Sequence, residues 1–314
     1  MDFILKSKSV MVLMLFIAAW ALSIYIATLT PGLQHIGKSL IIQPELFDGS
    51  KMLFGILAVV FILFVLTLYS AQSALGIKTV ALPALIYSVT TARLLPNVGF
   101  NDTLVAAICC ALLLYVANLS VIKQKDNSPI FLFGFICVLM LMFAPKLVLI
   151  VPASLLILAF IGRFSLKDIS ALFIGWVAAL ILILTYLFAK GNLTQFIGAW
   201  QDALFYRTNG GFEYVGEWIR LALSLLILFI VIVITAGKYM PQVYTARRVL
   251  SVEITMFLTM VLSVVLWGGI GYDFHYIVAL PIAHIMAYFV SCSNKRFAYV
   301  LLATYLLLSV WPIF

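Results

Sequence analysis

The chain has 314 residues, 65% of them hydrophobic and only 10% charged, with a formal net charge of +8. A soluble domain is about 45–50% apolar and about 25% charged, so no soluble fold covers this surface. In a membrane chain, Lys and Arg record topology rather than nucleic-acid binding. The class that fits is an all-α, polytopic transmembrane helix bundle.

Eleven apolar runs follow one another at 9–29, 53–72, 79–95, 104–122, 129–144, 146–162, 169–189, 217–237, 252–268, 275–292 and 297–313. At about 20 residues per span, they predict about 11 spans in a single integral membrane domain over 1–314. The first run follows Lys6 and Lys8 as a signal peptide would. It is longer than a signal h-region and has no small-residue cleavage site, so it reads as a retained helix. The runs at 129–144 and 146–162 meet at Pro145 and Lys146. They form either a tight hairpin or a broken, re-entrant pair, which lipid tolerates only where protein shields the backbone.

With the N-terminus in the cytoplasm, twelve Lys and Arg fall inside and seven outside, and the clusters KQK, RFSLK, ARR and NKR all fall inside. That is the positive-inside pattern, and it sends the C-terminus outside. Most acidic residues, among them Glu45, Asp48, Asp202, Glu213 and Asp273, fall on the outer side. Either chemistry at that face or the greater length of the outer loops explains the bias.

Two outer loops are longer than a connection requires. The first, 30–51, carries His35, Lys38, Glu45, Asp48 and Lys51. The second, 190–217, repeats Leu193, Phe196, Ile197, Trp200 and Leu204 at helical spacing, which predicts a short amphipathic helix on the outer membrane surface. The turn signal Asn209-Gly210-Gly211 follows, presenting Tyr206, Arg207, Glu213 and Tyr214 together. The Arg207 fork suits a phosphate, and equally a lipid headgroup or Glu213.

Polar residues at membrane depth are few. Arg93, near the outer end of the third run, either snorkels to the interface or binds phosphate. His284 lies about two and a half turns into the tenth span, in GYDFHYIVALPIAH (271–284), where hydrogen bonding to a neighbouring helix is the plain reading. No second His or carboxylate stands at metal-ligand spacing on that run, and Asp273 and His275 are too close to its end. No cofactor is predicted; a divalent metal stays open, without support in the spacing. Glu253 stands at the start of the ninth run near Arg247 and Arg248, which predicts a cytoplasmic ion pair. The four cysteines, Cys109, Cys110, Cys137 and Cys292, sit in or beside apolar runs and read as free, small hydrophobes. No phosphate loop, dinucleotide fingerprint, nucleophile elbow or HExxH motif is present.

The KSKSV start, the segment SPIFLFGFICVLMLMFAPKLVLIVPASLLILAFIGRFSLKDISALFIGW and the closing HYIVALPIAHIMAYFV resemble a family of polytopic bacterial inner-membrane proteins, which by itself supplies no activity. More distantly, the layout is similar to that of the GT-C glycosyltransferases. FHYIVALP (274–281) resembles the aromatic-basic-Tyr run that precedes a Pro-containing late helix in several of them. The resemblance implies a glycosyltransferase in the bacterial inner membrane that takes a polyprenyl-phosphate-linked sugar on the extracytoplasmic face. It implies Glu45 or Asp48 as the catalytic base, and Arg93, Arg207 and His275 around the donor phosphate. Asp273, Tyr276 and His284 share that stretch and complete the candidate binding set. The first loop carries no adjacent acidic pair and no Asp-x-Asp. A carboxylate deprotonating an acceptor hydroxyl and a cation on the departing phosphate make coherent chemistry. The implied partners are membrane lipids and the lipid-linked sugar, with no nucleic acid; no protein partner is indicated. Two other classes remain open: a lipid or small-molecule transporter, which predicts polar residues grouped at mid-membrane, and a non-catalytic subunit of an envelope assembly, which predicts a filled apolar bundle.

Overall fold

The computed structural model describes residues 51–92, 94, 100–205, 215–267 and 274–310. Among them every regular element is helical: α1 (Lys51–Gln72), α2 (Leu82–Thr91), α3 (Asp102–Ile122), α4 (Ser128–Phe143), a 3-10 turn (Pro145–Leu147), α5 (Ile150–Ile161), α6 (Leu166–Ala189), α7 (Leu193–Phe205), α8 (Val215–Lys238), α9 (Tyr244–Trp267), α10 (His275–Cys292) and α11 (Lys295–Val310). Five of these, α1, α3, α6, α9 and α10, are long and apolar enough to cross a membrane.

The predicted runs 79–95 and 146–162 become shorter helices. With 10 and 12 residues, α2 and α5 are about 15 and 18 Å long, against a hydrocarbon core of about 30 Å. The causes are local. Pro83 stands in the first turn of α2, where its missing N–H costs nothing. Pro145 diverts the chain into a 3-10 turn before α5 begins.

Capping fixes several ends. Asn101 accepts the Leu104 amide at 2.9 Å at the head of α3, an N-cap interaction. Ser165 and Asp168 form a reciprocal capping box on α6. Gly162, at φ +76°, closes α5: its own N–H donates to Ala159 O, and the Arg163 N–H donates to Leu158 O at 3.0 Å. Gly191, at φ +70°, closes α6 in the same way. Both are left-handed caps that favour glycine.

Hydroxyls within the spans bond back to their own helix, as Ser70 does to Leu66 O at 2.8 Å and Ser120 to Val116 O at 3.0 Å. Such local pairing removes the cost of an unsatisfied donor in lipid.

The 129–162 region is a hairpin of α4 and α5. Its open end is tied by Arg163, which follows α5 and donates to Asp126 O at 2.5 Å, Asn127 Oδ1 at 2.5 Å and Asp168 Oδ1 at 2.7 Å. Beside it α6 runs parallel to α4 in backbone contact. A Cβ at Gly134 would stand 2.4 Å from Leu172 O, and one at Gly175 would stand 2.3 Å from Phe131 O. Small residues are what allow such an approach in a membrane, where packing replaces the hydrophobic driving force. At the hairpin tip, α7 packs through Phe196 against Ile183 and Leu187 of α6, and Trp200 Nε1 donates to Leu141 O at 3.3 Å.

Several connections gather at one end of the bundle. Arg163 reaches Lys123 O at 3.1 Å, the Arg248 guanidinium lies against Gly162, and Tyr288 Oη donates to Tyr239 O at 2.8 Å. Lys123, Lys125, Arg163, Lys167, Arg247 and Arg248 therefore share an end, here called the basic end. At the centre stands α10, packed on α2, α3, α8, α9 and α11; with 72% of its spanning window buried, it is the most enclosed of the five long helices.

Candidate functional site

The central helix carries the polar side chain that matters most. His284 of α10 is fully buried, and so is Glu253 of α9. The His284 Nδ1 lies 2.5 Å from Glu253 Oε1. The contact is close in distance but is not aligned as a hydrogen bond. Tyr69 of α1, also buried, donates its phenol to the same Oε1 in a short hydrogen bond. Its ring lies over the imidazole, with centroids 4.3 Å apart and planes 36° apart. Three helices far apart in sequence thus bring an acid, a base and a phenol to one point.

The cluster sits inside the bundle, below the basic end. Glu253 is nine residues into α9, about 14 Å along its axis; His284 is eight residues from the end of α10, about 12 Å; Tyr69 is three residues from the end of α1, about 4.5 Å. A lone ion at that depth costs several kcal/mol. The Glu253–His284 pair escapes this as carboxylate with imidazolium or as acid with imidazole, both neutral overall. Glu253 Oε2 and His284 Nε2 have no hydrogen-bond partner among the described residues.

The expected ion pair of Glu253 with Arg247 and Arg248 is not formed. Because α9 begins at Tyr244, Glu253 lies two and a half turns in, out of line with the helix end. Arg247 Nε instead donates to Pro241 O at 3.3 Å. Arg248 stacks on the Tyr244 ring at 3.8 Å and donates to its hydroxyl at 2.5 Å. Sequence reasoning missed Glu253 and Tyr69 as site residues. The available signal was a carboxylate and an imidazole in spans, each without a local partner; nothing local shows that residues 69, 253 and 284 meet.

Of the residues singled out from the sequence, Glu45, Asp48, Arg93, Arg207 and Asp273 lie outside the described residues. His275 starts α10, half-buried, and Tyr276 beside it is buried. Nine residues, about 14 Å of helix, separate His275 from His284, so the two imidazoles occupy different levels. Among the described residues no three His, Cys, Asp or Glu side chains gather as a metal site. All four cysteines are free, with Cys292 exposed and the others buried.

A second polar cluster lies at the basic end. Asp126 accepts the Ser128 amide at 2.9 Å and the Ser128 hydroxyl at 2.8 Å. These bonds, with Lys123 and Arg163 nearby, hold its carboxyl below the ordinary value. With Arg163 and Asp168 it fastens the ends of α3, α4, α5 and α6, which is a structural task.

No family model, no curated protein and no solved structure matches this chain. What fold and site define is an all-helical protein with the makeup of a multi-pass membrane protein and a buried acid–base cluster on its central helix.

Proposed function

We propose that this chain is a proton-linked membrane transport protein in which Glu253 takes up and releases the coupling proton. The observation that carries the reading is the burial of Glu253 against His284 and Tyr69, in helices whose other charged side chains stand in their first turns. Ionisable side chains inside a membrane are expensive, and proton relays are a use that repays the cost. A carboxylate beside an imidazole changes charge by one on gaining or losing a single proton, and conformations of the bundle respond to that charge. Proton uptake at this depth moves charge through part of the membrane field. A pH step applied to protein on a solid-supported membrane should therefore give a transient current in the wild type, absent from Glu253→Gln. A silent wild type, or a current retained by the variant, rules the reading out.

A second reading, transfer of a sugar from a polyprenyl-phosphate donor at the opposite end, has support from α7. That helix docks on the hairpin tip and leaves Ile197 and Phe205 exposed, Phe205 by 72%, as a lipid-facing platform would. Native mass spectrometry tests it: co-purified polyprenyl phosphate supports transfer, and ordinary phospholipid alone argues against it.

A further inference from the structure

We propose that Tyr69 is a positioning residue for the coupling proton: by holding Glu253 Oε1 it directs that proton to Oε2. The proposal rests on the proton-linked reading and adds where on the carboxyl the proton sits and what puts it there. The two oxygens of Glu253 are not equivalent. Oε1 accepts the Tyr69 phenol and lies 2.5 Å from His284 Nδ1. Oε2, also buried, has no hydrogen-bond partner among the described residues. The Tyr69 ring lies over the imidazole at 4.3 Å, so its hydroxyl is placed by the ring as well as by the carboxylate.

Two placements of the proton compete. On Oε1 it would displace the phenol hydrogen from the acceptor that the structure gives Tyr69. That hydrogen and the carbonyl left at Oε2 would then both be unpaired. On Oε2 the proton leaves Oε1 as a carbonyl that still accepts the phenol, and the new hydroxyl alone is unpaired. Unpaired polar groups are costly inside a membrane, so the arrangement with fewer of them is favoured.

Uptake makes one O–H bond at Oε2 and breaks one in a hydronium ion, which leaves as water. Release reverses the step. Tyr69 keeps its phenolic hydrogen throughout: it orients the carboxyl and is not itself a carrier. Tyr69 and His284 are the titratable side chains in contact with Glu253. Of the elements packed on α1 and α9, α5 carries none, the 3-10 turn carries Lys146 and α2 carries Tyr87. The third helix, α3, carries Asp102, Cys109, Cys110 and Tyr115, and α10 adds His275, Tyr276, Tyr288 and Cys292.

Infrared difference spectroscopy of the full chain in lipid nanodiscs, taken between alkaline and acidic pH, tests the assignment. Asp102 and Asp168 are buried carboxyls too, so the Glu253 acid band is identified by its loss in Glu253→Gln. With the proton on Oε2, the Glu253 carbonyl accepts a hydrogen bond, and losing the donor raises its stretching frequency. In Tyr69→Phe, which keeps the ring over His284, the band should move to higher wavenumber. Biosynthetic replacement of tyrosine by 3-fluorotyrosine makes the phenol a stronger donor. It should move the band to lower wavenumber in the wild type and leave it in place in Tyr69→Phe. The fluorinated wild type decides the matter even if Tyr69→Phe misfolds. A band unmoved in folded Tyr69→Phe, or unmoved in the fluorinated wild type, overturns the positioning role while leaving Glu253 as the proton carrier. A wild type with no Glu253 band at all overturns the transport reading itself, and this proposal with it.

Discussion

Glu253 and His284 hold each other in place, and the cost of separating them is calculable in kind. Removing the imidazole strands a carboxylate at membrane depth. His284→Ala should destabilise the protein by about 3–5 kcal/mol, as breaking a buried pair does. Replacing both with Leu should cost less than the single change, because no charge is then left buried. Equilibrium unfolding in mixed micelles measures the two, and a double variant worse than His284→Ala contradicts the pairing. At the basic end, Asp126 makes a pH prediction. Its carboxyl is held low first by the Ser128 amide, then by the Ser128 hydroxyl and the charges of Lys123 and Arg163. A depressed folded value gives stability that is full above the unfolded value, near 3.8, and lost as pH falls through the lower folded one. Amide exchange in the first turn of α4 should therefore speed up in acid below the ordinary carboxylate range. In Asp126→Asn that acid dependence should be absent. Neither side chain's role was legible in the sequence. Glu253 stood close enough to Arg247 and Arg248 for a local ion pair to look sufficient, whereas its partners come from α1 and α10.

Helices, by contrast, were largely legible, because apolar runs in this composition have one way to satisfy their backbones in lipid. The amphipathic spacing of Leu193, Phe196, Ile197, Trp200 and Leu204 predicts a helix where α7 lies. Less legible were lengths. The run at 146–162 begins its helix only at Ile150, after the 3-10 turn at Pro145, and the run at 79–95 gives only Leu82–Thr91. The glycines give the test at this scale. Gly134→Ala would push a Cβ to 2.4 Å from Leu172 O, and separating α4 from α6 should cost about 1–3 kcal/mol, as overpacking does. Gly198→Ala in α7 meets nothing within 4 Å and should be neutral or stabilising by up to about 1 kcal/mol. Thermal unfolding of the two purified variants checks the contrast. Equal midpoints would mean that the α4–α6 contact is looser than described.

Across the whole molecule, the connections that carry Lys123, Lys125, Arg163 and Arg248 meet at one end, which the sequence reading assigns to the cytoplasm. Alternation along the chain was legible from charge alone. The convergence of α1, α9 and α10 was not, since no charge pattern encodes which helices touch. The assignment predicts that a membrane-impermeant thiol reagent labels Cys292, or a Lys125→Cys variant, in inverted membrane vesicles and not in intact cells. Labelling in intact cells would reverse the orientation. The account depends most on a proton residing at Glu253. An equilibrium infrared titration of the protein in nanodiscs, run over the range where carboxylates and imidazoles change charge, measures it directly. The account predicts one buried carboxylic-acid band that appears on acidification, disappears in Glu253→Gln and shifts its midpoint in His284→Gln. A spectrum in which Glu253 keeps a single protonation state across the whole range would contradict it.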